Sequence, residues 1–276
     1  MCKSVLMTLL PSHWLKLFAA ISVVVLATGF PLVAKAADVY VEGNTVNLEG
    51  DIRQGDAERV VVAVLAAPKQ IIFMSLNSKG GDLMEAMRIV ALVKDAHWNV
   101  SVGKGHGRVC VSACFFIFLA GESRSAGGAG NPWPQALWDL EPGIVGIHRP
   151  YFNDAAGNPE APKKQEELMR KVRDYLNSAG VSQYLVDEMM SRPSNDIYWL
   201  KDRDLDAIGD YNAGIEEALI ATCGYKRSSL MAAEKWSQER MAPVYACVAK
   251  YLGDKNRPLQ LSYVAKLRTG WRPWKK

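Results

Sequence analysis

Short apolar blocks alternate with polar, glycine-containing breaks along residues 37–210. Val39-Tyr40-Val41 and Thr45-Val46-Asn47-Leu48 predict two short strands around a Gly43-Asn44 turn. The apolar run from Val60 to Ala67 predicts a helix. Residues 70–76 (QIIFMSL) form a buried-strand pattern that stops at Asn77-Ser78-Lys79-Gly80-Gly81-Asp82, a strong loop signal. Apolar residues at 83, 86, 87, 90 and 93 have helical spacing, and Asn99 to Val102 reads as another strand. Cys110-Val111-Ser112-Ala113-Cys114 then runs into FFIFLAG, an apolar helix closed by Gly121. Residues 127–143, rich in Gly and Pro, predict a long loop before a strand at Ile144–His148. Two amphipathic helices follow, at Lys163–Ala179 and Ser182–Ser191. The first is expected to turn Leu168, Val172, Tyr175 and Ala179 inward. Strands alternating with helices predict an α/β fold.

Charge changes the picture at the two ends of the chain. The first 36 residues hold Lys3, Lys16 and Lys35 and no acid, with an apolar run from Leu17 to Phe30 and a small-x-small site at Ala34-Lys35-Ala36. That is the pattern of a secretory signal peptide over 1–36. It predicts an exported, periplasmic protein, with an N-terminal membrane anchor if the signal stays uncleaved. The remaining residues carry 30 basic and 29 acidic groups. So balanced a body argues against nucleic-acid binding, which needs a basic face to neutralise phosphates. Beyond position 248 the balance tips, with eight Lys or Arg against one Asp and with Trp271 and Trp274 among them. This basic, Trp-containing end suits contact with a membrane surface or an anionic polymer. It equally suits a solvated tail whose Trp residues pack on the body.

Export also changes how the cysteines read. Cys2 leaves with the signal, and Cys110, Cys114, Cys223 and Cys247 remain. Three disulfide pairings are open to four cysteines, and spacing favours Cys110 with Cys114 and Cys223 with Cys247. A zinc site is disfavoured by the lack of any CxxC pair and by the few histidines. Thiol redox chemistry is disfavoured because CxxxC is not the usual redox spacing.

Nucleophilic catalysis by serine needs an exposed hydroxyl, a histidine to take its proton, a carboxylate to orient the histidine, and N–H donors for the oxyanion. Ser112 opens an apolar helix, where the dipole is positive. Gly80-Gly81 follow a strand, where a backbone without Cβ allows close approach. His148 ends a strand. Each also has a plain structural reading: a cap, a turn, a packed histidine. Their order is more telling. Leu48-Glu49-Gly50-Asp51-Ile52, the Asn77–Asp82 loop, the Ser112 helix ending Leu119-Ala120-Gly121, and Ile147-His148-Arg149-Pro150 follow one another. This order resembles the ClpP/crotonase superfamily, and the Clp protease proteolytic subunit in particular, over about Val46 to Asp210.

The resemblance implies a repeated ββα spiral core over residues 37–212. The resemblance ends beyond Asp210, and residues 213–276 read on their own as a small, mainly helical, disulfide-stapled basic extension. It implies Ser112 as nucleophile, His148 as general base and Asp196 as the orienting acid. Gly81 and Ala113 would give the oxyanion N–H groups, with Gly80 in the loop beside them. Asp202 and Asp204 lie close to Asp196 and leave its assignment open. No cofactor and no metal are implied. The implied activity is an ATP-independent exported serine peptidase or related acyl hydrolase acting on a peptide or protein substrate. The implied assembly is a homo-oligomer smaller than a double ring. The alternative is a non-catalytic ClpP-like binding scaffold at the cell envelope. Lys79 stands where the family has proline, Cys110 and Cys114 bracket the serine, and the 127–143 stretch is longer than the family's link.

Overall fold

The computed structural model describes residues 36–102, 107–126, 144–151, 159–226 and 238–275. The signal segment and the loop expected at 127–143 lie outside them. In chain order the elements are β1 (Asp38–Glu42), β2 (Thr45–Glu49), α1 (Asp56–Ala66), β3 (Phe73–Asn77), α2 (Leu83–Asp95), β4 (Asn99–Val102), β5 (Val109–Val111) and α3 (Ala113–Ala120). They continue with β6 (Arg124–Ala126), β7 (Ile144–Ile147), α4 (Ala161–Ser178), α5 (Gln183–Ser191), β8 (Tyr198–Trp199), α6 (Asp202–Ile208), α7 (Ala213–Cys223) and α8 (Gln238–Arg268). The fold is α/β.

One sheet has the order β1-β2-β3-β4-β6 and a second the order β5-β7-β8. The first is parallel apart from the β1–β2 hairpin, and the second pairs β5 with β7 in parallel and β7 with β8 antiparallel. Helix α3 explains how they share a core. All eight of its residues are buried, as expected of a helix apolar on every side. It packs on α2 and on β4, β5 and β7. Phe115, Phe116 and Ile117 are among the largest fully buried side chains.

Helix α1 begins four residues before the apolar run that predicts it. Gly55 turns the chain at φ 98. Glu85, on α2, accepts from the N–H groups of Gly55 (3.1 Å) and Ala57 (2.8 Å), a cap supplied from thirty residues away. Asp82 caps α2 itself, accepting from Glu85 N–H at 3.0 Å. Helix α4 buries Leu168, Val172 and Leu176. Tyr175 and Ala179, expected inside, are partly buried against the same core, and the Tyr175 hydroxyl donates to the Phe116 carbonyl at 2.8 Å.

The C-terminal segment is fastened to the body. Tyr263 and Leu267 of α8 lie in the main core, and Trp271 and Trp274 pack against it. Arg272 pairs with Glu58 at 2.5 Å. This is the arrangement expected of a tail whose Trp residues pack on the body. No helix among the described residues is long and apolar enough to cross a membrane. Beneath α8, the buried Glu122 carboxylate meets His97 Nδ1 at 2.5 Å, accepts from Asn256 Nδ2, and lies 3.9 Å from Lys255 Nζ.

Burial alone pushes the Glu122 pKa up, but the His97 and Asn256 hydrogen bonds and the His97 and Lys255 charges outweigh it and hold it below 4.5. A depressed carboxylate adds stability above its unfolded pKa and loses it as pH falls through the folded one. Glu122→Gln is therefore expected to cost about 3 kcal/mol at pH 7, the low end of the scale of a broken buried pair because His97 is partly exposed. The deficit against wild type should shrink as pH drops below the ordinary carboxylate range. Urea midpoints for both proteins at pH 7 and about pH 2 check this; an equal deficit at both would remove the charge from the account.

Candidate active site

Strand β5 hands the chain to α3 through one residue, Ser112, and that residue has an unusual backbone, φ 57 and ψ −121. A non-glycine residue at positive φ costs on the order of 1–3 kcal/mol and persists only where its surroundings impose it. The one other such residue described, His97 at φ 52, follows the C-terminus of α2, a place where left-handed residues commonly close helices. Ser112 has no such excuse. Its N–H donates to the Gly146 carbonyl on β7 at 3.1 Å, and its carbonyl accepts from Phe115 N–H at 3.0 Å. Its side chain makes no cap hydrogen bond, and the residue is half-buried. Among the described residues the hydroxyl has no hydrogen-bond partner, so it is not spent as a cap.

The glycine loop lies directly against this turn. A Cβ on Gly80 would stand 2.7 Å from the Ser112 Cβ, 2.7 Å from the Val111 carbonyl oxygen and 3.0 Å from the Ala113 nitrogen. Only glycine lets the loop approach so closely, and Gly80 and Gly81 take φ 100 and 136. Ser78 braces the loop, its Oγ accepting from Gly80 N–H at 3.1 Å. Backbone bonds from Ser78 N–H to Val109 O (2.7 Å) and from Val111 N–H to Ser78 O (3.0 Å) tie the loop's root to β5. On the other side Ile52 N–H donates to Gly80 O and Asp82 N–H to Ile52 O, at 2.8 and 2.9 Å. The N–H groups of Gly81 and Ala113 have no acceptor among the described residues. They are the two donors that the family resemblance implies for an oxyanion.

His148 follows β7, two residues beyond the Gly146 carbonyl that holds Ser112, and is buried, with 7% exposure. Its Nδ1 lies 3.0 Å from the Arg149 carbonyl. With that nitrogen donating, the ring is fixed in the tautomer that leaves Nε2 as acceptor. No hydrogen bond joins His148 to Ser112 Oγ or to Asp196 among the described residues. Asp196 is exposed and bonds to Arg192 at 2.9 Å. Arg192 also holds Glu188 at 2.5 Å, and its pKa is raised by its bonds to Asp196 and then Glu188. Asp204 is occupied too: it is buried and accepts from Tyr198 OH and Lys201 N–H at 3.0 and 2.9 Å. The structure thus brings Ser112, Gly80, Gly81 and Ala113 together, sets His148 on the adjoining strand, and ties Asp196 to Arg192.

Both favoured cysteine pairs are disulfides. Cys110–Cys114 spans Ser112 with a Cα–Cα distance of 5.2 Å, and Cys223–Cys247 links α7 to α8 at 5.6 Å. Among the described residues no cluster of His, Cys, Asp and Glu could hold a metal ion.

No family model and no curated protein matches the chain. Solved structures do. ClpP1 from Listeria monocytogenes is similar at 18% identity, over 61% of this chain and 89% of that one, with a TM-score of 0.44. An Asn-to-Asp mutant of the same protein gives 22% identity over the same shares, with a TM-score of 0.40. The membrane-bound stomatin-specific protease 1510-N, as a Ser-to-Ala mutant, gives 17% identity over 66% of this chain and 84% of that one, with a TM-score of 0.41. ClpP-type proteases are therefore among the structural neighbours of this chain. What the site can do follows from its own residues.

Three contributors were not foreseen in the sequence. The Arg149 carbonyl, which orients His148, is a backbone group and carries no residue signal. Ser78 and Asn77 do carry one, as small polar residues at a strand end. Asn77 Oδ1 accepts from Val109 N–H at 3.2 Å, so this loop holds β5 as well as bringing Gly80 against the Ser112 turn.

Proposed function

We propose that the protein is an exported serine hydrolase of peptidase type, acting on peptide or protein substrates with Ser112 as nucleophile. The observation that carries this reading is the Ser112 backbone: a strained strand-to-helix turn presents a hydroxyl free of capping duty beside two unengaged N–H groups. In the proposed reaction Ser112 Oγ attacks the substrate carbonyl and its proton passes to His148 Nε2. The developing oxyanion is held by the Gly81 and Ala113 N–H groups at the positive end of α3. His148 then protonates the leaving amine, and a water deprotonated by the same ring releases the acyl group. Export removes the protein from cytoplasmic unfolding ATPases, so turnover would be ATP-independent. The substrate would be an unstructured segment.

In this scheme the Arg149 carbonyl holds the ring as the structure has it. Asp196 becomes the third member only if it leaves Arg192. That same Arg192–Asp196 pair favours a second reading, a ClpP-like scaffold that binds without catalysis. A fluorophosphonate probe separates the two. The expected result is covalent labelling at Ser112, located by peptide mass spectrometry, and none in a folded Ser112→Ala variant. Wild-type protein left unlabelled at Ser112 would establish the scaffold instead.

A further inference from the structure

Five residues carry the chain from β5 into α3, and the disulfide closes on the first and last of them. A ring so short removes little entropy from the unfolded chain, so overall stability is a poor explanation for it. Both cysteines have 0% exposure, which sets the bridge apart from exposed thiols that exchange or sense oxidants. What the ring encloses is Ser112.

The other helix starts among the described residues show the backbone angles that Ser112 would otherwise take. The non-glycine caps Asp82, Glu160, Ser182, Lys201 and Asn212 have φ of −66, −83, −61, −98 and −66. Ser182 is the same residue type, and it sits at φ −61 and ψ 145. Ser112, at φ 57 and ψ −121, is the exception, and it is the cap inside a disulfide ring. One end of the ring is immobile. Cys110 pairs with Val145 on β7 and bridges to Ser78 at the root of the glycine loop. The other end, Cys114, is in the first turn of α3. Joining them draws the helix start back toward the strand, and the intervening residue absorbs the bend.

We propose that the Cys110–Cys114 disulfide is the positioning element for Ser112, holding its backbone in the conformation that presents the hydroxyl. Reduction by a dithiol would then slow acylation without unfolding the domain. The two sulfurs gain two electrons and two protons, and the dithiol leaves as its own cyclic disulfide. The effect on rate rests on the serine-hydrolase reading; the effect on backbone conformation does not.

The test therefore has two arms, on full-length protein and on a Cys110→Ala/Cys114→Ala variant whose fold is checked by circular dichroism. In the first arm, fluorophosphonate inactivation is resolved into a maximal rate and a half-saturating concentration. We expect the maximal rate to fall at least tenfold with the half-saturating concentration unchanged. Wild type reduced with dithiothreitol in mild urea, then returned to buffer, should show the same fall and recover on reoxidation. In the second arm, a crystal structure of the variant should show Ser112 with negative φ, in the range of the other helix caps. A variant that labels at the wild-type rate, or that keeps Ser112 near φ 57, overturns the proposal. If wild type is not labelled at all, the hydrolase reading fails, and the second arm decides the positioning claim alone. If the variant does not fold, reduced and reoxidised wild type carry both arms.

Discussion

Replacing His148 with alanine is expected to lower fluorophosphonate labelling of Ser112 by about 10²–10⁴-fold, the usual worth of a positioned general base. The same assay on Asp196→Asn should stay within roughly threefold of wild type, because a carboxylate held elsewhere contributes little to orienting the ring. The contrast follows from the bonds described. His148 is buried at 7% exposure and fixed through Nδ1 by a main-chain carbonyl at 3.0 Å. Side-chain substitution cannot remove that acceptor. The Asp196 side chain, half in solvent at 50%, is held by Arg192. A loss in Asp196→Asn as deep as that in His148→Ala would show the carboxylate moving onto the ring during reaction. Arg192→Ala should then accelerate labelling by releasing it.

A second large effect is expected in the glycine loop. Gly81→Ala would place a Cβ 2.2 Å from the Ile52 carbonyl oxygen and 2.9 Å from its nitrogen, at φ 136. Both neighbours are backbone, and both take part in the bonds that hold the loop, so neither gives way cheaply. Overpacking on this scale costs about 1–3 kcal/mol or more, to which the backbone conformation adds its own strain. We expect a loss of about 3 kcal/mol or more in urea unfolding, and labelling of Ser112 to fall about 10²–10³-fold as the oxyanion donor moves. Gly43→Ala supplies the control. Gly43 also has positive φ, +62, but nothing lies within 4 Å of its Cβ, so only the conformational cost of about 1–2 kcal/mol remains. Equal losses in the two variants would mean that crowding against Ile52 is relieved by small shifts and has no part in the site.

Much of this arrangement was legible in the residues, for identifiable reasons. Strands β2, β3 and β4 are apolar and bounded by glycine or asparagine. Helix α3 is apolar at every position, which fits only a buried element. The Asn77–Asp82 loop announced itself through paired glycines. What escaped the sequence depends on distant or main-chain partners. Glu85 reads as an ordinary helical acid, yet it sets the start of α1. His148 takes its orientation from a carbonyl, which every residue possesses. Helix α8 runs from Gln238 to Arg268 with Pro243 and Pro258 inside it. Prolines argue against a helix, and the burial of Val248, Tyr263 and Leu267 overrides them here. The unusual φ of Ser112 was out of reach for a simpler reason: serine is a common cap, and nothing in its identity distinguishes the two conformations.

The burial of α3 bears on how such a protein diverges. All eight of its residues are buried and the helix packs on strands of both sheets, so substitutions there must keep volume and apolarity together. The segment behind Ser112 is therefore nearly frozen to drift. The exposed side of the site, at Lys79 and Asp196, is where descendants of this chain are free to vary, and new specificities would accumulate around an inherited serine turn while its foundation stays unchanged.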